Sequence, residues 1–270
     1  MEKLTGVQIA TKKDNSIYYR SSITYKNKHI SLGSYSTNLK AHNVYLEAKN
    51  ILNDLTITLS SFHSKNLLHF DYFVSLINYR DNGIYFSNPI YIKKKLFYYF
   101  LSPDDCMKFD IDDLFYYSSH KIMRRLGHFF VADYGMQVNI VNRYGIKNYA
   151  VINRDYRFLN NDTYDFRSEN IEIINRYHGV RKIVKKNKTI YKCVIHVKGN
   201  FVVGNYKTED EAAIAYNKSA DILMRNGLKK NFAQNYMEGL SPSIYADIYS
   251  NVIVSAKIRN LKFQDALVKS

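Results

Sequence analysis

Residues 6–52 read GVQIATKKDNSIYYRSSITYKNKHISLGSYSTNLKAHNVYLEAKNIL, and residues 179–223 repeat this pattern as GVRKIVKKNKTIYKCVIHVKGNFVVGNYKTEDEAAIAYNKSADIL. The interval between the opening glycine and the later Gly-x-Tyr-x-Thr is two residues shorter in the second copy. Copies this far apart are not a solenoid period, so the pattern indicates one small domain used twice. The matched pairs are Gly6 and Gly179, Val7 and Val180, Gly33 and Gly204, Tyr35 and Tyr206, Thr37 and Thr208, Ala41 and Ala212, Tyr45 and Tyr216, and Leu52 and Leu223.

Each copy predicts three strands followed by a helix. In the second copy, a first strand over 179–183 precedes a β-rich run over 190–197, a Lys-Gly-Asn turn and a further strand from Phe201. Thr208 with Glu211 three residues later forms a capping-box pattern, and apolar residues then recur every three or four positions. The first copy predicts strands over 17–25 and 29–32 and a helix over 39–52.

The positive charge of the chain is concentrated in the two copies. The chain has 39 Lys and Arg against 24 Asp and Glu, a formal net charge of +15. Residues 6–52 hold 7 basic and 2 acidic side chains, residues 179–230 hold 12 and 4, and the stretch 53–178 between them holds 15 and 14. This segregation predicts a polyanionic partner, and nucleic acid is the commonest one.

Composition limits the remaining classes of protein. The sequence contains no apolar run long enough to span a membrane and no apolar core of a signal peptide, so neither a membrane span nor export is predicted. Cys106 and Cys193 are the only cysteines and lack zinc spacing, which fits reduced thiols in a cytoplasm. We predict no cofactor and a location in the bacterial cytoplasm or nucleoid.

The strand-and-helix pattern resembles the AP2/ERF-type DNA-binding domain, which shares the opening Gly-Val, the basic-aromatic strands, the Gly-x-Tyr-x-Thr corner and the Ala-x-x-x-Tyr helix. In that family the sheet enters the major groove and the helix packs behind it. The family's usual strand tryptophans are missing, because the chain has no Trp. The resemblance and strand alternation predict DNA-binding side chains at Tyr19, Arg20, Tyr25, Lys26 and Lys28, and at Arg181, Lys185, Lys186, Lys192, His196 and Lys198.

A second resemblance lies between the copies. Residues 149–175 read YAVINRDYRFLNNDTYDFRSENIEIIN and resemble the ββα core of HNH endonucleases, in which a similar D-x-R-x-E-N-L motif follows a D-H pair. In the register that this motif fixes, the D-H pair falls on Arg157 and Phe158, and only Asn170 remains of the family's catalytic set. Phenylalanine cannot abstract a proton and arginine repels a divalent cation, so the resemblance implies an inactive core, not an enzyme.

Three further segments carry weaker signals. Arg124 and Arg125 are candidates for an additional phosphate contact, and the apolar spacing from Ser241 to Val268 predicts a C-terminal helix. This helix could cap the second copy or pair with another chain. Asp155, Asp162 and Asn170 lie close enough in sequence to leave a relocated metal site open, although turn and helix-start positions are the commoner roles of aspartate.

Together these patterns predict an α+β fold with an AP2-like domain over 1–55, a degenerate HNH-like domain over 56–177, a second AP2-like domain over 178–235 and a helical segment over 236–270. The first hypothesis is a non-catalytic, sequence-specific double-stranded DNA-binding protein, a transcriptional regulator of phage or mobile-element origin. The second is an active nicking or homing endonuclease with a rearranged metal site. The third is an interaction protein that inhibits a host or competitor factor, and a homodimer or protein partner through the middle domain or the C-terminal helix also stays open.

Overall fold

The computed structural model describes residues 4–263, which form a mixed α+β structure in two compact units. One unit runs to Ile140 and includes Asp162–Asn170, and the other comprises Val141–Asn161 and continues from Ile171. Small three-stranded antiparallel sheets and short helices make up both units, which confirms the α+β class. Each unit contains one copy of the repeat.

The first unit begins with the first repeat, in which three antiparallel strands pair in the order β1-β2-β3 and a helix covers one face. A second helix and two more three-stranded sheets follow. The elements are β1 (Val7–Thr11), β2 (Ile17–Tyr25), β3 (Lys28–Tyr35), α1 (Asn38–Asn53), α2 (Phe70–Asn82), β4 (Ile90–Lys93), β5 (Leu96–Ser102), β6 (Asp105–Asp110), α3 (Leu114–Ser119), β7 (Met123–Arg125), β8 (His128–Asp133) and β9 (Met136–Asn139).

The second unit contains a two-stranded ladder, the second repeat and two short C-terminal helices. The sheet of the second repeat pairs in the same order as that of the first, so the three strands and the helix predicted for each copy are confirmed. The elements are β10 (Tyr156–Phe158), β11 (Ile171–Ile173), β12 (Val180–Lys185), β13 (Lys188–His196), β14 (Asn200–Tyr206), α4 (Glu209–Arg225), α5 (Pro242–Asn251) and α6 (Ala256–Asn260).

The glycine that opens each repeat lies directly under the tyrosine of the following helix. Gly6 and Gly179 have φ angles of 77° and 72°, in the left-handed region that favours glycine. A Cβ at Gly6 would lie 2.2 Å from the ring of Tyr45, and a Cβ at Gly179 would lie 2.4 Å from both the ring of Tyr216 and the carbonyl oxygen of Val194. The matched glycine and tyrosine are therefore one packing feature that sets the distance from sheet to helix.

The third strand of each repeat contains a β-bulge. The register shifts so that Leu32 and Val203 are extra residues, and both side chains are buried against the helix. The following Gly33 and Gly204 lie under tyrosine rings two residues further on, which explains the Gly-x-Tyr pattern. The Tyr35 hydroxyl donates to the carbonyl of Leu32 at 2.8 Å and so holds the bulge of β3 in place.

Both repeat helices start as the sequence predicts. The Thr37 side chain accepts a hydrogen bond from the backbone N–H of Lys40, and Thr208 accepts one from Glu211 at 3.1 Å. The Glu211 side chain reaches back to the backbone N–H of Thr208, which confirms the capping box. Of the two repeat helices, only α4 has acidic residues in its first turn. Their negative charge interacts favourably with the positive end of the helix dipole.

The C-terminal segment caps the second repeat instead of extending away from it. The predicted single helix is two short helices, α5 and α6, separated by extended residues 252–255. Val254 and Ile258 are buried in the core of the second repeat, and Ser255 donates through its N–H to the carbonyl of Val203 and through its hydroxyl to that of Val202, both at 3.0 Å. The predicted segment continues beyond Phe263, outside the described residues.

The segment that resembles an HNH core departs from the expected ββα arrangement. β10 and β11 pair with each other in the second unit, whereas the intervening Asp162–Asn170 belongs to the first. Residues 149–175 contain no α-helix, and the Glu-Asn part of the motif forms a single 3-10 turn over Ser168–Asn170. The physical reason is long-range pairing: Tyr164 and Phe166 hydrogen-bond to the backbone of Lys108 in β6, which holds this part of the chain extended.

Candidate nucleic-acid interface

The sheet of each repeat has an outer face, defined here as the face turned away from its helix. Because strand side chains alternate, the buried Ile23 and Ile30 that pack against α1 leave their neighbours pointing outward. The strand register then places three outward side chains in one row across the first sheet and three in the equivalent row of the second. These polar rows are Gln8–Arg20–Ser34 in the first sheet and Arg181–Lys192–Asn205 in the second.

A second outward row lies nearer the turn that joins the last two strands of each sheet. It pairs Thr24 with His29 in the first sheet and His196 with Asn200 in the second. All four side chains are exposed. Arg20 donates a hydrogen bond to the Tyr18 hydroxyl at 2.6 Å on the first outer face. This hydrogen bond is exposed, so a ligand can also reach the groups that form it. Both faces therefore present donors and acceptors at matching positions.

The structure places the residues predicted from the second repeat together on or beside its outer face. Arg181 and Lys192 are neighbours in the polar row, and His196 belongs to the second row. Lys185 pairs with Lys188 at the end of the first hairpin. Lys186 and Lys198 lie in the two turns of the sheet, at φ angles of 45° and 50°.

In the first repeat, Arg20 lies on the outer face as expected, but the two predicted tyrosines lie on the opposite face. Tyr19 pairs with Tyr35 on the helix side of the sheet, and Tyr25 packs into the same core as α1. The Tyr25 ring meets the ring of Tyr79 from α2 edge-on at 5.5 Å between centroids. The alternation that exposes Arg20 turns both tyrosines inward, because all three lie on one strand with odd and even positions on opposite sides.

Lys26 and Lys28 lie against aromatic rings instead of on the outer face. The ammonium of Lys26 is 5.2 Å from the centre of the Tyr25 ring, and that of Lys28 is 5.2 Å from the centre of the Tyr85 ring. Such cation–π contacts hold both lysines at the end of the sheet next to α2. Sequence reasoning missed the outward residues that face solvent in their place, because strand alternation identifies them only once the facing of one residue on the strand is known. These are Gln8, Ser22, Thr24, His29, Ser31 and Ser34 in the first sheet, and Lys188, Asn200 and Asn205 in the second.

Arg124 and Arg125 lie on β7, which belongs to neither repeat sheet. Arg124 Nη1 is 3.1 Å from Asp105 Oδ2, and its guanidinium lies over the Phe129 ring at 5.7 Å from the ring centre. This arginine is therefore already paired with a carboxylate. Arg125 is exposed at the β7–β8 turn and is the better candidate of the two for an additional phosphate contact.

The two residues that the HNH resemblance aligns with the D-H pair have structural roles. Arg157 Nε lies 2.5 Å from Glu172 Oε2 across the β10–β11 ladder. Phe158 is 5% exposed and meets the Tyr156 ring edge-on. A side chain that fills a core in this way cannot contact a substrate, so the position that holds the water-activating histidine in HNH nucleases is closed to solvent here.

The candidate metal-binding carboxylates are all neutralised by basic side chains. Asp155 is 2% exposed and lies within 3.0 Å of both Lys147 and Arg154. Burial alone would raise the pKa of the Asp155 carboxyl, but hydrogen bonds from Arg154, from the N–H of Val151 and from Lys147 outweigh it and lower that pKa below its ordinary value. The Asp155 carboxylate is therefore bound by two basic side chains.

The same holds for the remaining members of the set. Asp162 lies 2.8 Å from the Lys108 ammonium, and Asp165 lies 2.7 Å from the Arg167 guanidinium. The Asn170 amide donates to the backbone carbonyl of Asp165 at 2.8 Å and so closes the 3-10 turn. Among residues 4–263 no group of three or more His, Cys, Asp or Glu side chains is arranged to hold a metal ion.

Comparison of the chain with protein-family models, with curated proteins and with solved structures finds no match. No helix within residues 4–263 is long and apolar enough to cross a membrane.

Proposed function

We propose that this protein binds double-stranded DNA in a sequence-specific and non-catalytic way through the outer faces of its two repeat sheets, as a transcriptional regulator of phage or mobile-element origin. The resemblance of each repeat to an AP2/ERF-type domain supports this, because in that family the same sheet enters the major groove. The resemblance of residues 149–175 to an HNH core supports descent from an endonuclease.

One observation carries the proposal: the basic side chains of the two outer faces have no carboxylate partner, whereas many of those between the repeats do. Within residues 4–263, no salt bridge involves Arg20, Arg181 or Lys192. Arg124 and Arg157 lie within 3.1 Å of carboxylates. Unneutralised charge on a hydrogen-bonding face is what a phosphate backbone and base edges require.

The test is binding of the full chain to duplexes selected from a random-sequence pool. We expect affinity to fall steeply with salt, because each phosphate contact releases counterions. The double variant Arg181→Ala/Lys192→Ala should lose about 30-fold or more in affinity, since each contact is worth about 1–3 kcal/mol. Lys49→Ala, which removes an exposed charge on α1, is the matched control and should bind like the wild type.

Equal affinity for selected and random duplexes, or an affinity that does not change with salt, would contradict the proposal. Incubation of the selected duplex with Mg²⁺ or Mn²⁺ tests the nuclease hypothesis. We expect no cleavage, because the carboxylates at Asp155, Asp162 and Asp165 are held in ion pairs. Cleavage that is abolished by Asp162→Asn or Asn170→Ala would establish a rearranged active site.

A specific observation favours the interaction hypothesis as a second candidate. Phe115, Leu126 and Tyr134 of the first unit are at least 90% exposed and are therefore available to contact another protein. Capture of a protein partner that survives nuclease treatment and is lost in Phe115→Ser would support this role. Capture that depends on intact DNA would assign the contact to the nucleic acid.

A further inference from the structure

The outer faces of the two sheets differ most at two cross-strand pairs. Where the first sheet has Ser22 opposite Ser31, the second has Val194 opposite Val202. Where the first has Ala10 opposite Tyr18, the second has Ile183 opposite Ile190. Val202 is 46% exposed and the other three aliphatic side chains are half-buried, so the second outer face carries four branched aliphatic residues turned towards solvent.

Strand propensity alone does not account for these residues. β-branched side chains favour strands, but the serines at Ser22 and Ser31 show that the same fold forms without them at one of these pairs. The core of the second repeat is built from the opposite face, with Cys193, Ile195 and Val203. The exposed aliphatic pairs are therefore available to contact a ligand.

The aliphatic pairs lie on both sides of the polar row. Along β13 the outward residues run from Ile190 through Lys192 to Val194, each two positions from the next. Outward residues two positions apart are roughly 6.6 Å apart, which is close to two base-pair steps of about 3.4 Å each. Cationic and aliphatic side chains thus reach the same short stretch of a groove.

We propose that the second sheet selects thymine-containing DNA by packing Val194–Val202 and Ile183–Ile190 against thymine methyl groups, while Arg181 and Lys192 contact guanine edges or phosphates. This inference rests on the proposed function. The C5 methyl of thymine is the apolar group that distinguishes base pairs in the major groove, and the flanking positive charge favours a polyanion over an apolar protein partner. The serine pair at the equivalent position of the first sheet offers no comparable contact.

The test replaces each thymine of the selected duplex in turn by deoxyuridine, which removes only the methyl group. We expect the affinity of the full chain to fall about fourfold for each methyl that is contacted, from the transfer free energy of one buried carbon. The exchange variant Val194→Ser/Val202→Ser should bind thymine and deoxyuridine duplexes equally at the positions contacted by this pair, and should keep the preference at those contacted by Ile183 and Ile190. Ser22→Val/Ser31→Val should add a methyl preference in the part of the site bound by the first sheet.

The possible outcomes separate the inference from the function on which it rests. If wild-type affinity for the selected duplex is unchanged by every thymine-to-deoxyuridine replacement, the methyl contact is absent and DNA binding still stands. If no duplex is bound above random sequence, the proposed function fails as well. Because deoxyuridine changes only the DNA, the result does not depend on whether an exchange variant folds. Equal binding of the RNA duplex of the same sequence would also overturn the inference.

Discussion

The two repeats share their internal frame and differ on the surface that faces outward. Gly6 and Gly179, with the tyrosines that cover them, occupy equivalent positions, and both third strands carry the same bulge. The polar rows, in contrast, read Gln-Arg-Ser in one sheet and Arg-Lys-Asn in the other. The residues that match between copies are those the fold requires, whereas the outer residues are free to differ. Under the proposed function, two modules of one shape are expected to recognise different sequences.

The largest expected effect comes from the shared frame. Gly179→Ala should destabilise the second repeat by about 3 kcal/mol, because it combines a left-handed φ with a Cβ only 2.4 Å from a backbone oxygen that cannot move aside. Gly6→Ala should cost less, about 2 kcal/mol, because its closest contacts belong to the Tyr45 ring, which can shift. Hydrogen exchange resolved by mass spectrometry reports each repeat separately.

Gly199→Ala is the matched control for these variants. A Cβ at Gly199 would have no atom within 4 Å, and its backbone is not left-handed, so its stability should be close to that of the wild type. Equal and small effects at Gly6, Gly179 and Gly199 would show that the glycine–tyrosine contact is not what fixes the frame.

The helix caps give a smaller difference between the repeats. Thr208→Ala should cost about 1.5 kcal/mol, because it breaks a reciprocal capping box, and Thr37→Ala should cost about 0.7 kcal/mol, because Thr37 makes a single capping hydrogen bond. Chemical denaturation of both variants provides the measurement. Thr208→Ser keeps the hydroxyl and should restore most of the loss, and a larger effect at Thr37 than at Thr208 would contradict this ranking.

The smallest effect is expected at the tyrosine hydroxyls. Tyr206 donates to the carbonyl of Ile253 and Tyr35 to that of Leu32, both at 2.8 Å, so each change to phenylalanine should cost about 0.5 kcal/mol. The location should differ: Tyr206→Phe should speed hydrogen exchange in residues 252–258, whereas Tyr35→Phe should act within β3. Tyr236→Phe, at an 82% exposed ring, is the control and should be neutral.

Much of the frame could be predicted from the sequence because its signals are local. The Gly-Val start, the Thr-x-x-Glu cap of Thr208 and Glu211, and the Lys-Gly-Asn turn each specify backbone geometry within a few residues. The repeat supplied a second, independent instance of the same pattern. The number of strands and the position of the helix followed from these signals.

The sequence could not show which side chains of β2 turn towards the helix, because IYYRSSITY has polar and aromatic residues at both odd and even positions. Ser21 is fully buried while Tyr18 is only half-buried, so polarity does not indicate the face. The 3-10 turn at Ser168–Asn170 was missed for a different reason. Tyr164 and Phe166, just before the turn, pair with the backbone of Lys108, some 55 residues away. No local sequence pattern predicts a pairing over that distance.

The two hydrogen bonds from Ser255 have a consequence for the free edge of the second repeat sheet. β14 is the last strand of its sheet, and an open strand edge is a template on which another chain can add by backbone pairing. Ser255 occupies the carbonyls of both Val202 and Val203 on that strand. The C-terminal segment thus covers part of the free edge of β14. A chain shortened before Val252 is expected to self-associate by pairing of these strand edges, even where its individual sheets still form.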